Sequence, residues 1–275
     1  MYIVKVNEIT PFFNPFGAPI FHDETVSSTF ESARILAAGG APHGTVFIAD
    51  FQESGRGRFS RPWKTERGES LLFTLLLRYK SISEMPAALT LRTGLAAAGA
   101  VEDFDKELNG KVFVKWPNDI MLKLRKTEID DSTSYAYRKV SGILSESDGK
   151  TVYIGVGLNV AQKHFPLELR HKAASLQQAL SVLPENARFV LLESILSRLY
   201  RELFAEQGES PSWHDRLNKR LYKKGEIVSF APDSGLSKNL VKGVLKGVGT
   251  GGELLIMCEG EKTEKAFVSG ELQVY

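Results

Sequence analysis

Cysteine is almost absent: Cys258 is the only one in 275 residues. One thiol cannot close an internal disulfide, and no CxxC pair exists to hold zinc. Both facts fit a reducing cytoplasm. No run of about 18 apolar residues occurs, so no membrane-spanning helix is expected. The N-terminal stretch 1–21 is apolar but broken by Pro11, Pro15 and Pro19. It lacks the basic start and unbroken apolar core of a signal peptide. A strong charge of either sign is also missing. Lys and Arg number 35 against 33 Asp and Glu, for a net charge of +2 and a pI near 8.5. That is too mild to imply bulk nucleic-acid binding, so any positive charge that matters must act locally. There is no GxxxxGK[ST] phosphate loop, no HExxH and no GxSxG. GVGTGG (247–252) matches GxGxxG, but the strand-like ELLIMC follows it. The dinucleotide fingerprint needs a helix there, so these glycines read as a hairpin turn.

With 43% hydrophobic and 25% charged residues, the chain has a globular composition. It reads in two parts, 1–222 and 223–275. In the first, GTVFIAD (44–50) and SLLFTLLLR (70–78) are short apolar runs between turns, the pattern of buried strands. The segment 86–104 opens on a proline and is rich in Ala and Leu, which predicts a buried helix. KVFVKW (111–116) predicts a strand stopped by Pro117. VSGILSES (140–147) and TVYIGVGLNV (151–160) predict a hairpin turning at Asp148-Gly149. Apolar residues from Phe189 to Phe204 recur at helical spacing, predicting a helix over 187–206, and Trp213 starts a shorter one. Residues 123–139 are polar and aperiodic, and most of them read as a mobile insertion. The second part holds four short strands between glycine-rich turns, a small barrel packed on the first part. The fold class is therefore α+β, with a mixed, mostly antiparallel sheet, packed helices and a small C-terminal SH3-like barrel.

Three stretches could carry chemistry. QESGRGRFSRPW (52–63) combines glycines, which let the backbone approach a ligand, with arginines, whose forked donors fit phosphate or carboxylate. Alone it reads equally as an anion site or a solvated, RNA-binding basic loop. VKWPNDIML (114–122) places Asn118 and Asp119 at a strand end, suited to a hard cation such as Mg²⁺ or to a plain Asx turn. In RKVSGILSES (138–147), Lys139 is either a point charge aimed into a site or a solvated charge at a strand start.

Taken in order, GRGR, KWPND, RKxxGIL and IGVGLNV resemble the biotin protein ligases, from about Glu24 through the C-terminal barrel. The resemblance implies activation of biotin by ATP to biotinyl-5′-AMP. Transfer to one lysine of a biotin carboxyl carrier protein or carboxylase domain would follow. ATP, biotin and Mg²⁺ are the implied ligands. No protein nucleophile is implied, because the biotin carboxylate attacks the phosphate itself. Lys139 and Arg58 would carry catalysis. Ser28, Thr29, Phe30, Gln52, Arg56, Gly57, Arg58, Gly142, Gly155 and Gly157 would bind biotin. Arg56, Arg58, Arg61, Trp63, Asn118, Lys139 and Asn159 would bind the nucleotide, and Asp119 the metal. Two positions depart from the family pattern: Phe30 stands where Asn is usual after Ser-Thr, and Ser60 where the loop commonly has Gly. About twenty residues precede the SST stretch, too few for the DNA-binding domain some family members carry. The expectation is a cytoplasmic ligase, monomeric or weakly dimeric, with no DNA or membrane partner. The alternatives are a lipoate or octanoate ligase of the same fold, and an RNA-binding module.

Overall fold

The computed structural model describes residues 7–8, 12–125, 135–204, 211–232 and 240–273. Eight strands form one sheet in the order β1 (Asn7–Glu8), β2 (Ile20–Val26), β3 (Val46–Gln52), β4 (Ser70–Arg78), β8 (Thr151–Asn159), β7 (Tyr135–Asp148), β6 (Asp119–Arg125), β5 (Val112–Lys115). β2 and β3 run parallel, joined by helix α1 (Thr29–Ala38), because parallel neighbours need a crossover. The other described pairs of this sheet are antiparallel.

The unbroken apolar run of β4 has a simple cause: both faces of the strand are covered. Leu71, Phe73, Leu75 and Leu77 join the core under α2 (Leu89–Phe104) and α3 (Ala187–Phe204). On the opposite face Leu76 packs with Phe30 and Ala33 of α1, Phe47 and Tyr153. Hairpin β7–β8 turns at Asp148–Thr151, with Gly149 at φ 68°, a left-handed position that glycine adopts without strain. Ser212 caps α4 (Trp213–Lys219), its hydroxyl accepting from Asp215 N.

The expected mobile insertion is corrected in part. Lys123 pairs with Tyr137 and Arg125 with Tyr135, so both ends of 123–139 belong to the β6–β7 ladder; 126–134 lie outside the described residues. Polar composition hid a hairpin held by rings: Tyr137 packs edge-on against Phe113 and Tyr222, and Lys123 sits over its face.

The C-terminal part is a five-stranded antiparallel sheet, ordered β12 (Lys265–Phe267), β11 (Leu254–Cys258), β10 (Val241–Val248), β9 (Ile227–Ala231), β13 (Glu271–Gln273). Four strands were expected; the fifth, β13, is too short to show a pattern. GVGTGG forms the β10–β11 turn, as read. Trp116 joins the two sheets: its ring packs on Phe230, and its Nε1 donates to Gly252 O at 3.0 Å. No described helix is long and apolar enough to cross a membrane.

Candidate active site

A pocket opens on the α1 face of the large sheet, beyond the N-terminus of α1. Its floor is glycine. Gly142 of β7 and Gly157 of β8 are cross-strand partners, and Gly155 lies two residues along on the same face. A Cβ at Gly155 would meet Phe30 Cε2 at 2.2 Å, and one at Gly157 would meet Trp63 Cε2 at 2.7 Å. The missing side chains are what let two aromatic rings lie directly on the sheet.

One end of the pocket is polar. Ser28 caps α1, its Oγ accepting from Phe30 N at 3.3 Å. Thr29 donates from both N and Oγ1 to Gln52 Oε1 (2.8 and 3.0 Å), and Thr74 Oγ1 donates to Thr29 Oγ1 at 2.9 Å. This network fixes the Gln52 amide at the pocket wall.

The loop that follows β3 closes the pocket. It doubles back on itself: Trp63 N donates to Gly55 O and Gly57 N to Arg61 O, both at 2.8 Å. Phe59 and Ser60 at its tip both have φ of 56°. Each arginine has an acceptor. Arg56 forks onto Glu146 (2.6 and 3.0 Å), which also takes Arg34. Arg61 forks onto Glu271 (2.9 Å twice), and Arg58 donates to Asn118 Oδ1 (3.4 Å) and Gly270 O (3.2 Å). Burial holds the Arg58 guanidinium below its usual pKa. The Arg56 and Arg61 forks hold Glu146 and Glu271 below the usual carboxylate range.

The far wall comes from KWPND and β7. Lys139 Nζ lies 2.7 Å from Asp119 Oδ1 and 5.4 Å from the Trp63 ring centre. Lys139 is mid-strand, not at a strand start. It reaches the pocket because of a bulge: Ile120 pairs with Ser141 but Met121 pairs with Lys139, leaving Val140 extra. In regular alternation Lys139 would share the face of Ser141 and Ile143, and Ile143 lies in the helix-side core. The bulge re-aims it. Lys115 also lines the pocket at only 2% exposure, and burial lowers its pKa.

All the residues expected from the sequence line this pocket except Asn159. Asn159 is buried at the end of the floor, where its Nδ2 donates to Ala174 O at 3.0 Å. Sequence reasoning missed Lys115, Glu146 and Glu271. Strand alternation through VKWPND could have flagged Lys115; nothing local marks Glu271.

Among the described residues, five cations face the cavity or its rim, with Asp119 and Glu271 among them, and neither Cys nor His lines it. Such a site gathers anions and lets bound groups react with each other. No described cluster of three or more His, Cys, Asp or Glu could hold a metal alone. A divalent cation here would take Asp119 plus oxygens from a ligand, the habit of Mg²⁺ at phosphates.

Residues 26–159 match the biotin/lipoate A/B protein ligase family. The bifunctional ligase/repressor BirA of Bacillus subtilis is 37% identical over 167 residues, 58% of this chain and 46% of that protein. The biotin--[acetyl-CoA-carboxylase] ligase of Mycobacterium tuberculosis is 30% identical over 183 residues, 66% of this chain and 61% of that protein. The matched region thus spans about half the length of the BirA relative. Among solved structures, the biotin protein ligase from Aquifex aeolicus in complex with biotin and ATP superposes with a TM-score of 0.70 at 26% identity, covering 92% of this chain and 97% of that one.

Proposed function

We propose, from the match of residues 26–159 to the biotin/lipoate A/B protein ligase family, that this chain is an ATP-dependent biotin protein ligase. In the first step a biotin carboxylate oxygen attacks the α-phosphorus of ATP, and pyrophosphate leaves. In the second, a lysine amine of a carboxylase carrier domain attacks the acyl carbon of biotinyl-5′-AMP, and AMP leaves. The observation that carries this reading is the polar-ended, glycine-floored pocket ringed by arginines and lysines.

Thr29 and Gln52 supply hydrogen-bonding groups for the ureido ring, and Ser28 sets the end of α1 beside them. Phe30, Gly155 and Gly157 form the apolar bed, Gly57 lets the closing loop approach, and Gly142 leaves room for Lys139. Arg56 and Arg58 neutralise the carboxylate and phosphate as they meet, and Lys139 stabilises the charge that develops. Arg61, Trp63 and Asn118 serve the nucleotide. Asp119 would hold Mg²⁺, which supplies Lewis-acid charge stabilisation. The closed loop keeps water from the mixed anhydride. The reading divides the chain at 222/223. Tyr222 N still donates to Val114 O of β5, and β9 begins only at Ile227. It places the reaction in the cytoplasm.

Purified protein with ATP, Mg²⁺ and biotin should release pyrophosphate and add one biotin mass to a carrier domain. Biotin should outcompete lipoate and octanoate, since Thr29 and Gln52 are wasted on a plain acyl chain. No mass shift on the carrier would sink the reading. Lys139→Ala or Arg58→Ala should each slow adenylate formation about 10²–10³-fold, the usual cost of one charge-stabilising donor.

A further inference from the structure

Lys139 extends beyond the end of β8, whose ladder with β7 starts at Ser141↔Leu158. Another segment takes its place. Lys139 N donates to Lys172 O and Ala174 N donates to Lys139 O, both at 2.8 Å. The path of that segment, 161–175, is set by a buried polar cluster centred on Gln162, which is 3% exposed. Gln162 Nε2 donates to Ser70 Oγ and more weakly to Thr65 Oγ1 at 3.4 Å, while Thr65 Oγ1 donates to Ser70 Oγ at 2.9 Å. Ser175 Oγ donates to Gln162 O at 2.5 Å. Thr65 stands two residues after Trp63, on the return limb of the closing loop.

One cluster therefore grips both the root of the loop that carries Trp63 and the strap that holds the Lys139 backbone. We propose that Gln162 is a positioning residue for the ligase reaction. Through Thr65 and the 161–175 strap it keeps the loop and Lys139 in one register, so that Trp63 and Lys139 face each other across the pocket. The proposal rests on the ligase reading for its activity arm. Its structural arm is independent. Gln162 Oε1 is buried with no hydrogen-bond partner among the described residues.

The test is Gln162→Met, which keeps length and removes the donor. Adenylate formation should fall about tenfold in kcat, since small misplacements at reacting groups are costly, with the biotin KM within twofold. Hydrogen exchange should rise together at the Lys139 amide and at the loop amides of Gly57 and Trp63, but not in the β10–β11 hairpin. Should Gln162→Met not fold, Ser70→Ala carries the same two readouts. Unchanged kcat, or exchange rising at the loop or at Lys139 alone, would overturn the proposal. An inactive wild type would refute the ligase reading instead, and the exchange pattern would then decide this one by itself.

Discussion

Ser60 shows what one side chain does in a tight loop. It and Phe59 both sit at φ 56°, where a side chain costs about 1–2 kcal/mol and glycine costs nothing. The chain tolerates Ser60 there because short polar residues are less strained in this region than branched ones. Ser60→Gly should therefore leave adenylate formation within about twofold, the relief being offset by about 0.5–1 kcal/mol of added chain entropy. Ser60→Val should weaken it about tenfold, from about 1–3 kcal/mol of backbone strain, and lower Tm by a few degrees. Steady-state assays beside thermal melts decide both. Lys115 makes a second prediction at this scale. Burial lowers its pKa below 10.5. The base therefore loses its proton at lower pH than an exposed lysine, and the pocket loses a positive charge as pH rises through that lowered value. The alkaline limb of kcat/KM should fall earlier than an exposed lysine allows. Lys115→Arg, charged throughout, should move that limb to higher pH.

At the scale of elements, the site depends on how strands and loops fit, and here the sequence was legible in parts. β4 was readable residue for residue, since a strand covered on both faces leaves a continuous apolar run. α1 went unread: its cap, Ser28, lies in a stretch that looked like a ligand motif, and three buried residues make a thin stripe. The bulge at Val140 leaves no local trace, because it arises only when β7 pairs with β6. That is why Lys139 looked like a strand-start charge. Asn159 lies outside the pocket lining for a related reason: strand alternation does not foresee the strap that takes its amide at the end of the floor. The glycine floor can be tested directly. A methyl group at residue 157 would sit 2.7 Å from Trp63 Cε2. Gly157→Ala should displace the indole at a cost of about 1–3 kcal/mol, the usual price of overpacking. Trp63 fluorescence should shift in the free protein, and biotin affinity should fall about tenfold or more by calorimetry.

For the whole molecule, the C-terminal sheet is part of the site. Glu271 takes Arg61, Gly270 O takes Arg58, and Gly252 O takes Trp116 from KWPND. The closing loop and the KWPND wall of the pocket thus both lean on a sheet more than a hundred residues away in sequence. The Arg61 fork lowers the Glu271 pKa below its usual 4.5. For a depressed carboxylate, the added stability is present above the unfolded pKa and is lost as pH falls through the folded value. The link between loop and C-terminal sheet should therefore hold at neutral pH and loosen only in acid below that range. Glu271→Gln removes the ion pair at every pH. Arg61 is well exposed, so the pair is worth at most about 1 kcal/mol and Tm should hardly move. The ATP KM should change severalfold, because Arg61 would no longer be aimed by a fixed carboxylate. The loop amides should also exchange faster at neutral pH, and the acid-dependent loosening of the wild type should vanish. A variant that keeps wild-type loop protection and ATP KM would show that the C-terminal sheet only rests against the loop.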